Sequence, residues 1–213
     1  MPRALAVTSG KGGTGKSTVS QLVARALCQR GKNVLLLELD SGLRGLDLMM
    51  GVTDRVVYDL SDVLCGRCRP AKAIVSVPVS QGCLHLIVAP MDRFFIPDSE
   101  NLSRLLRGLW ACYDLLLLDT AAGLDESFDI ATSVCDGALI ITNCEGIAVR
   151  DAARAASMLH TLDPLLVINR FSRCQLSAEF PHLDAVIDRV GARLISVIPD
   201  DAAVERSCQM GIC

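Results

Sequence analysis

The chain has 213 residues, 51% hydrophobic and 21% charged, which suits one α/β domain with a full core and excludes a disordered chain. Its formal net charge of -3 argues against bulk attraction to nucleic acid or anionic lipid. No apolar run approaches the roughly 18 residues of a spanning helix, and the opening MPRALAV is not a secretory signal, so a cytoplasmic protein is expected. Its ten cysteines are therefore expected as reduced thiols, several of them packed in apolar segments.

Ala4–Thr8 reads as a first strand. Thr18–Arg30 reads as a helix, because Val19, Leu22, Val23, Ala26 and Leu27 share one face and Gly31 can end it. Apolar runs then recur at Val34–Leu39, Leu84–Ala89, Leu115–Leu118, Ala138–Thr142, Leu165–Ile168 and Leu194–Ile198. Ser99–Trp110 and Val149–Leu159 are the clearest helices between them. Strands apolar on both faces and separated by helices predict a mostly parallel, doubly wound sheet flanked by helices. One domain is expected over residues 1–213, with its ligand at the carboxyl ends of the strands. Gly10–Ser17, Asp40, Asp119, Asn143 and Asn169 fall there.

Gly10, Lys11, Gly12, Gly13, Thr14, Gly15, Lys16 and Ser17 match G-x-x-x-x-G-K-[ST] between a predicted strand and a predicted helix. Glycines allow the backbone to wrap phosphate oxygens, and successive N–H groups at a helix N-terminus then face the anion. Lys16 is expected on the β- and γ-phosphates and the Ser17 hydroxyl on Mg²⁺. Lys11 reads equally as a ligand or as a solvated charge on a turn.

Asp119 closes an apolar strand and can hold Mg²⁺ through water or cap a helix. Gly123 can offer its N–H to a γ-phosphate. Asp40, closing the second strand, can orient an attacking water or serve as a turn residue. Glu38 is read on the same side of that strand, without an assigned role. Asn169 alone reads as a polar residue ending a strand.

Lys11–Thr18 resembles the deviant phosphate loop of the MinD/ParA ATPases, whose extra lysine defines them. Asp40–Gly51 and Arg55–Leu60 are similar to the MinD branch, as are Val149–Asp151 and Val197–Asp201. Asp119–Gly123 resembles the family's Walker B and switch segment. The resemblance implies a homodimer that sandwiches two ATP molecules, with Lys11 crossing to the partner's phosphates. It implies catalytic roles for Lys11, Lys16 and Asp40, and Mg²⁺ at Ser17 and Asp119. ATP or ADP would be held by residues 10–18, Gly123, Asn169, Arg170, Pro199 and Asp200, with Thr18 closing the loop and Asn169 reading adenine. In this branch the ATP dimer binds membrane, recruits a division inhibitor and is released by an activating protein.

Glu38, Ala121 and Cys144 depart from the family's usual aspartate and two prolines. The chain ends at Gly211-Ile-Cys213 with no basic amphipathic helix, so the membrane tail of the MinD branch is expected to be lacking and strong direct lipid binding is not expected. A ParA-like DNA-partition role is the alternative, but no run concentrates Lys and Arg, so DNA is not the expected partner. A metal or iron–sulfur carrier using Cys65 and Cys68 is a further alternative, against the plainer reading of surface thiols. A small-molecule kinase is the weakest, since no second substrate pocket is readable.

Overall fold

Every apolar run becomes a strand in the structure, a computed structural model describing residues 3–172 and 176–209. The strands are β1 (Ala4–Thr8), β2 (Asn33–Glu38), β3 (Val75–Val77), β4 (Cys83–Ile87), β5 (Leu115–Asp119), β6 (Gly137–Thr142), β7 (Leu165–Phe171) and β8 (Arg193–Pro199). They form a single sheet in the order β3-β4-β2-β5-β1-β6-β7-β8. All neighbours are parallel except the edge pair β3 and β4. Helical segments fill the connections: α1 (Lys16–Cys28), α2 (Leu46–Met49), α3 (Leu60–Leu64), α4 (Pro70–Ala73), α5 (Ser99–Leu109), α6 (Glu126–Ser133), α7 (Gly146–Met158), α8 (Leu183–Val190) and α9 (Ala202–Gln209). The chain end at Gly211-Ile-Cys213, on which the expectation about a membrane tail rests, lies outside the described residues.

Alternation along the strands divides the core between the two faces. Val7, Leu36 and Leu117 pack with Val19 and Ala24 of α1. Ala6, Leu35, Leu37, Leu116 and Leu118 point the other way, onto Leu102, Leu105, Leu106 and Leu109 of α5. A third cluster joins Ile140 and Ile168 to Val149 and Ala152 of α7 and Val186 of α8. This is the doubly wound arrangement that two-faced apolar strands demand.

Several boundaries differ from the sequence expectation. Helix α1 starts at Lys16 rather than Thr18, because the phosphate loop itself turns into the helix. It ends at Cys28 rather than Arg30, and Gly31, at φ 75, takes the left-handed turn after it. Helix α7 begins at Gly146, ahead of the expected Val149. Strand β2 ends at Glu38, so Asp40 lies in the following loop rather than on the strand. Strand β7 runs on through Asn169 to Phe171, so Asn169 does not end it. The antiparallel β3 has only three residues and too little alternation to be read.

Candidate active site

The phosphate loop leaves β1 at Thr8 and re-enters regular structure at Lys16, at the carboxyl edge of the sheet. Two of its glycines are required by their surroundings. A Cβ on Gly10 would collide with the backbone of Asp151 in α7. Gly15 sits at φ 86, with the Asn169 amide against it. The Asn169 Nδ2 donates to the Thr14 carbonyl at 2.8 Å, tying β7 to the loop. Gly12 and Gly13 are exposed, and Thr14 and Lys16 are buried.

Lys16 and Asp119 form the centre. Nζ lies 3.5 Å from Asp119 Oδ1, with side chains 7% and 0% exposed, so the pair is shielded from water. Ser17 Oγ donates to Asp119 Oδ2 at 2.6 Å. Ser20 Oγ lies 2.8 Å from Asp119 Oδ1 and 3.0 Å from the Lys16 carbonyl. Asp119 is therefore held from α1, which argues against a helix-cap role. Sequence reasoning missed Ser20. Its spacing of four from Lys16, on the same helix face, is the signal that would have found it. A hydroxyl beside a carboxylate is the hard-oxygen donor set that suits Mg²⁺, so Ser17 and Asp119 fit that ion.

Asp40 is half-buried, and burial raises its carboxyl above the usual range. Lys16 opposes that shift, while Asp119 and Asp125 add to it, which places Asp40 within the field of the central pair. Glu38 has turned away to a structural task. It is 2% exposed and accepts N–H groups of Gly45 at 2.7 Å, Leu46 at 3.0 Å and Ala89 at 3.3 Å. Burial pushes its pKa up to about 7 against those three donors. It fastens the start of α2 to the end of β4, and is not paired with Asp40 across one strand face.

Lys11 points away from this centre. Its Nζ meets Glu145 Oε2 at 2.6 Å, at the N-cap of α7, with side chains 36% and 52% exposed. That cation holds the Glu145 carboxyl below its usual range. The Gly123 N–H donates to the Ser9 carbonyl at 3.3 Å, so in this conformation it is turned to the loop's own backbone.

Beside Gly15 and Thr18 opens a cavity of about 340 Å³. Asn169, Arg170, Pro199 and Asp200 line it, together with Leu22 of α1, Leu48 and Met49 of α2 and Val204 of α9. Arg170, at φ 54, reaches Asp200 Oδ1 at 3.4 Å. The expected base-binding residues thus share one pocket. Its apolar wall from α2 and α9 was not legible in the sequence, because both helices are short and lack strong periodicity. Cys65 is exposed and Cys68 half-buried against the core below α5. Among the described residues no group of three or more His, Cys, Asp or Glu could hold a metal ion.

A family model described as ParA, NUBPL iron-transfer P-loop NTPase, matches residues 1–170. The septum site-determining protein MinD of Bacillus subtilis is 33% identical over 218 residues, spanning 99% of this chain and 81% of that protein. The chain belongs to the ParA/MinD family of P-loop ATPases. MinD of Escherichia coli is 31% identical over 99% of this chain and is covered to 83%. Among solved structures, the MinC:MinD cell division complex of Aquifex aeolicus superposes with a TM-score of 0.86 at 32% identity, covering 98% of this chain and 86% of that one. Pyrococcus horikoshii MinD complexed with Mg-ADP gives 0.86 at 29%, covering 100% and 87%. As a ParA/MinD-family chain it is an ATPase, and these four relatives all lie on the MinD side of the family. Among the described residues, no helix is long and apolar enough to cross a membrane.

Proposed function

We propose that this chain is a Mg²⁺-dependent ATP switch that dimerises on ATP and helps to place the division site, as its MinD relatives' names describe for them. The observation that carries the reading is the opposite disposition of the two loop lysines. Lys16 is buried against Asp119, where it serves its own nucleotide, whereas Lys11 lies at the exposed rim, away from that centre and able to serve a second subunit. Lys16 and the loop N–H groups bind the phosphates, and Asn169, Arg170, Pro199 and Asp200 enclose the base. Asp40, its carboxyl raised by burial but set against Lys16, orients the attacking water. Mg²⁺ at Ser17 and Asp119 supplies charge neutralisation on the phosphates.

Hydrolysis in this scheme is a timer and the dimer is the two-state element. A division inhibitor and an activating protein are the corresponding partners. The chain acts in the cytoplasm, at the inner face of the membrane when a partner brings it there. The test is the molar mass of the Asp40→Ala protein with Mg²⁺ and ATP or ADP. A dimer with ATP and a monomer with ADP is expected. A monomer in both states overturns the switch and leaves only nucleotide binding.

A further inference from the structure

Strand β2 ends at Glu38 and helix α2 begins at Leu46, and the loop of residues 39–45 between them carries Asp40. Among the described residues the Asp40 carboxylate accepts no hydrogen bond, and only burial and the charges of Lys16, Asp119 and Asp125 act on it. Its position is therefore set by the backbone that carries it.

That backbone is tied at its start, its middle and its end. The Leu39 N–H donates to the Asp119 carbonyl at 2.9 Å. The Gly42 N–H donates to the Pro90 carbonyl at 2.9 Å, and a Cβ on Gly42 would stand 2.5 Å from the Cβ of Arg93. At the end of the loop, the N–H groups of Gly45 and Leu46 donate to Glu38 Oε1 at 2.7 and 3.0 Å. Glu38 Oε2 accepts the N–H of Ala89, the neighbour of Pro90, at 3.3 Å. One buried carboxylate thus joins the two ends of the loop and fastens them to the segment that pins its middle.

We propose that Glu38 is a positioning residue for ATP hydrolysis, whose carboxylate closes this loop and so places the Asp40 carboxylate at the nucleotide. The proposal rests on the reading of Asp40 as the group that orients the attacking water.

The outer side of the loop offers no other hold, since Leu43 at its tip is 78% exposed. Released at one end, the loop regains backbone freedom, and a reacting group displaced by about 1 Å loses about 100-fold in rate. Helix α2 is held differently. Leu46 and Met50 seat it in the core with Val19 and Val52, so its wall of the base cavity stays in place when the clasp is weakened. Lys16 and Asn169 are held by Asp119 and the Thr14 carbonyl, not by Glu38.

The test compares the parent, Glu38→Gln, Asp40→Ala and the double variant, each as the full chain with Mg²⁺ and saturating ATP. An amide at position 38 keeps the volume. Its NH₂ group faces either the Ala89 N–H or those of Gly45 and Leu46, so one tie is lost whichever way it turns. Phosphate release per bound ATP should fall by about tenfold or more in Glu38→Gln, while ATP affinity changes by less than about threefold. In the Asp40→Ala background the same substitution should have no further effect, because the loop then has no carboxylate to place. A role in stability alone, or one acting through Asp119, lowers turnover equally in both backgrounds, and that result overturns the proposal. If Glu38→Gln does not fold, Gly42→Ala decides, because it forces the same loop from its middle pin. Turnover should fall in Gly42→Ala only where Asp40 is present, and parental turnover there overturns the proposal. Full turnover in Asp40→Ala overturns the reading of Asp40 and this proposal with it. Slow turnover in Asp40→Ala beside parental turnover in folded Glu38→Gln overturns this proposal alone.

Discussion

Lys16 Nζ and Asp119 Oδ1 lie 3.5 Å apart in a site closed to water, so the loop's buried cation and the strand-end carboxylate hold each other in place. Ser17 and Ser20 complete the carboxylate's shell from the same helix. In the proposed switch, a nucleotide bound here would exchange one set of partners for another.

Lys16→Ala removes the loop's buried cation. Charge-assisted hydrogen bonds contribute about 1.5–3 kcal/mol each, so ATP affinity should fall by roughly 100-fold or more. Calorimetric titration with ATP checks this. Unchanged affinity would remove Lys16 from the site. Ser17 and Ser20 still hold Asp119, so the variant should remain folded.

Asp40→Ala should bind ATP nearly as well as the parent while turnover falls by about 100-fold, the scale of a positioned base or water-orienting group. Phosphate release under saturating ATP measures it. Equal turnover would return Asp40 to a turn role.

Glu38 makes stability depend on pH. Its folded pKa of about 7 lies above the ordinary value of 4.5, so the folded state holds the proton more tightly. The resulting stabilisation is fully present below 4.5 and is lost as pH rises through about 7. Denaturant unfolding of nucleotide- and Mg²⁺-free protein should show a decline of up to about 3 kcal/mol across that window. Glu38→Gln should flatten the profile, and an equally steep profile in that variant would refute the assignment.

Gly10→Ala should destabilise the fold by about 1–3 kcal/mol, because its Cβ would meet the Asp151 backbone and α7 would have to shift. Gly13→Ala meets no neighbouring atom, and there only the positive φ of 82 would be strained. Urea midpoints of the two variants compare a collision with a torsional penalty. A Gly10→Ala midpoint equal to that of the parent would show that α7 yields freely.

The phosphate loop, the strands and the two-faced core could be read from local pattern, since glycine spacing and runs of branched apolar residues carry their own physical meaning. Asp119 and Lys16 were legible for the same reason, as each sits at a fixed offset from a strand or a motif. Local pattern could not say that Glu38 would spend both carboxylate oxygens on Gly45, Leu46 and Ala89, because those donors come from segments that meet only in the folded chain. Nor could it join Lys11 to Glu145, 134 residues away. Sequence alone determined the type of chemistry, a P-loop ATPase, because the spacing of glycines, lysine and hydroxyl in one loop is a local property of the chain. Tertiary structure alone decided which charges are paired, buried or exposed, because hydrogen bonds and desolvation depend on distance through space rather than along the chain.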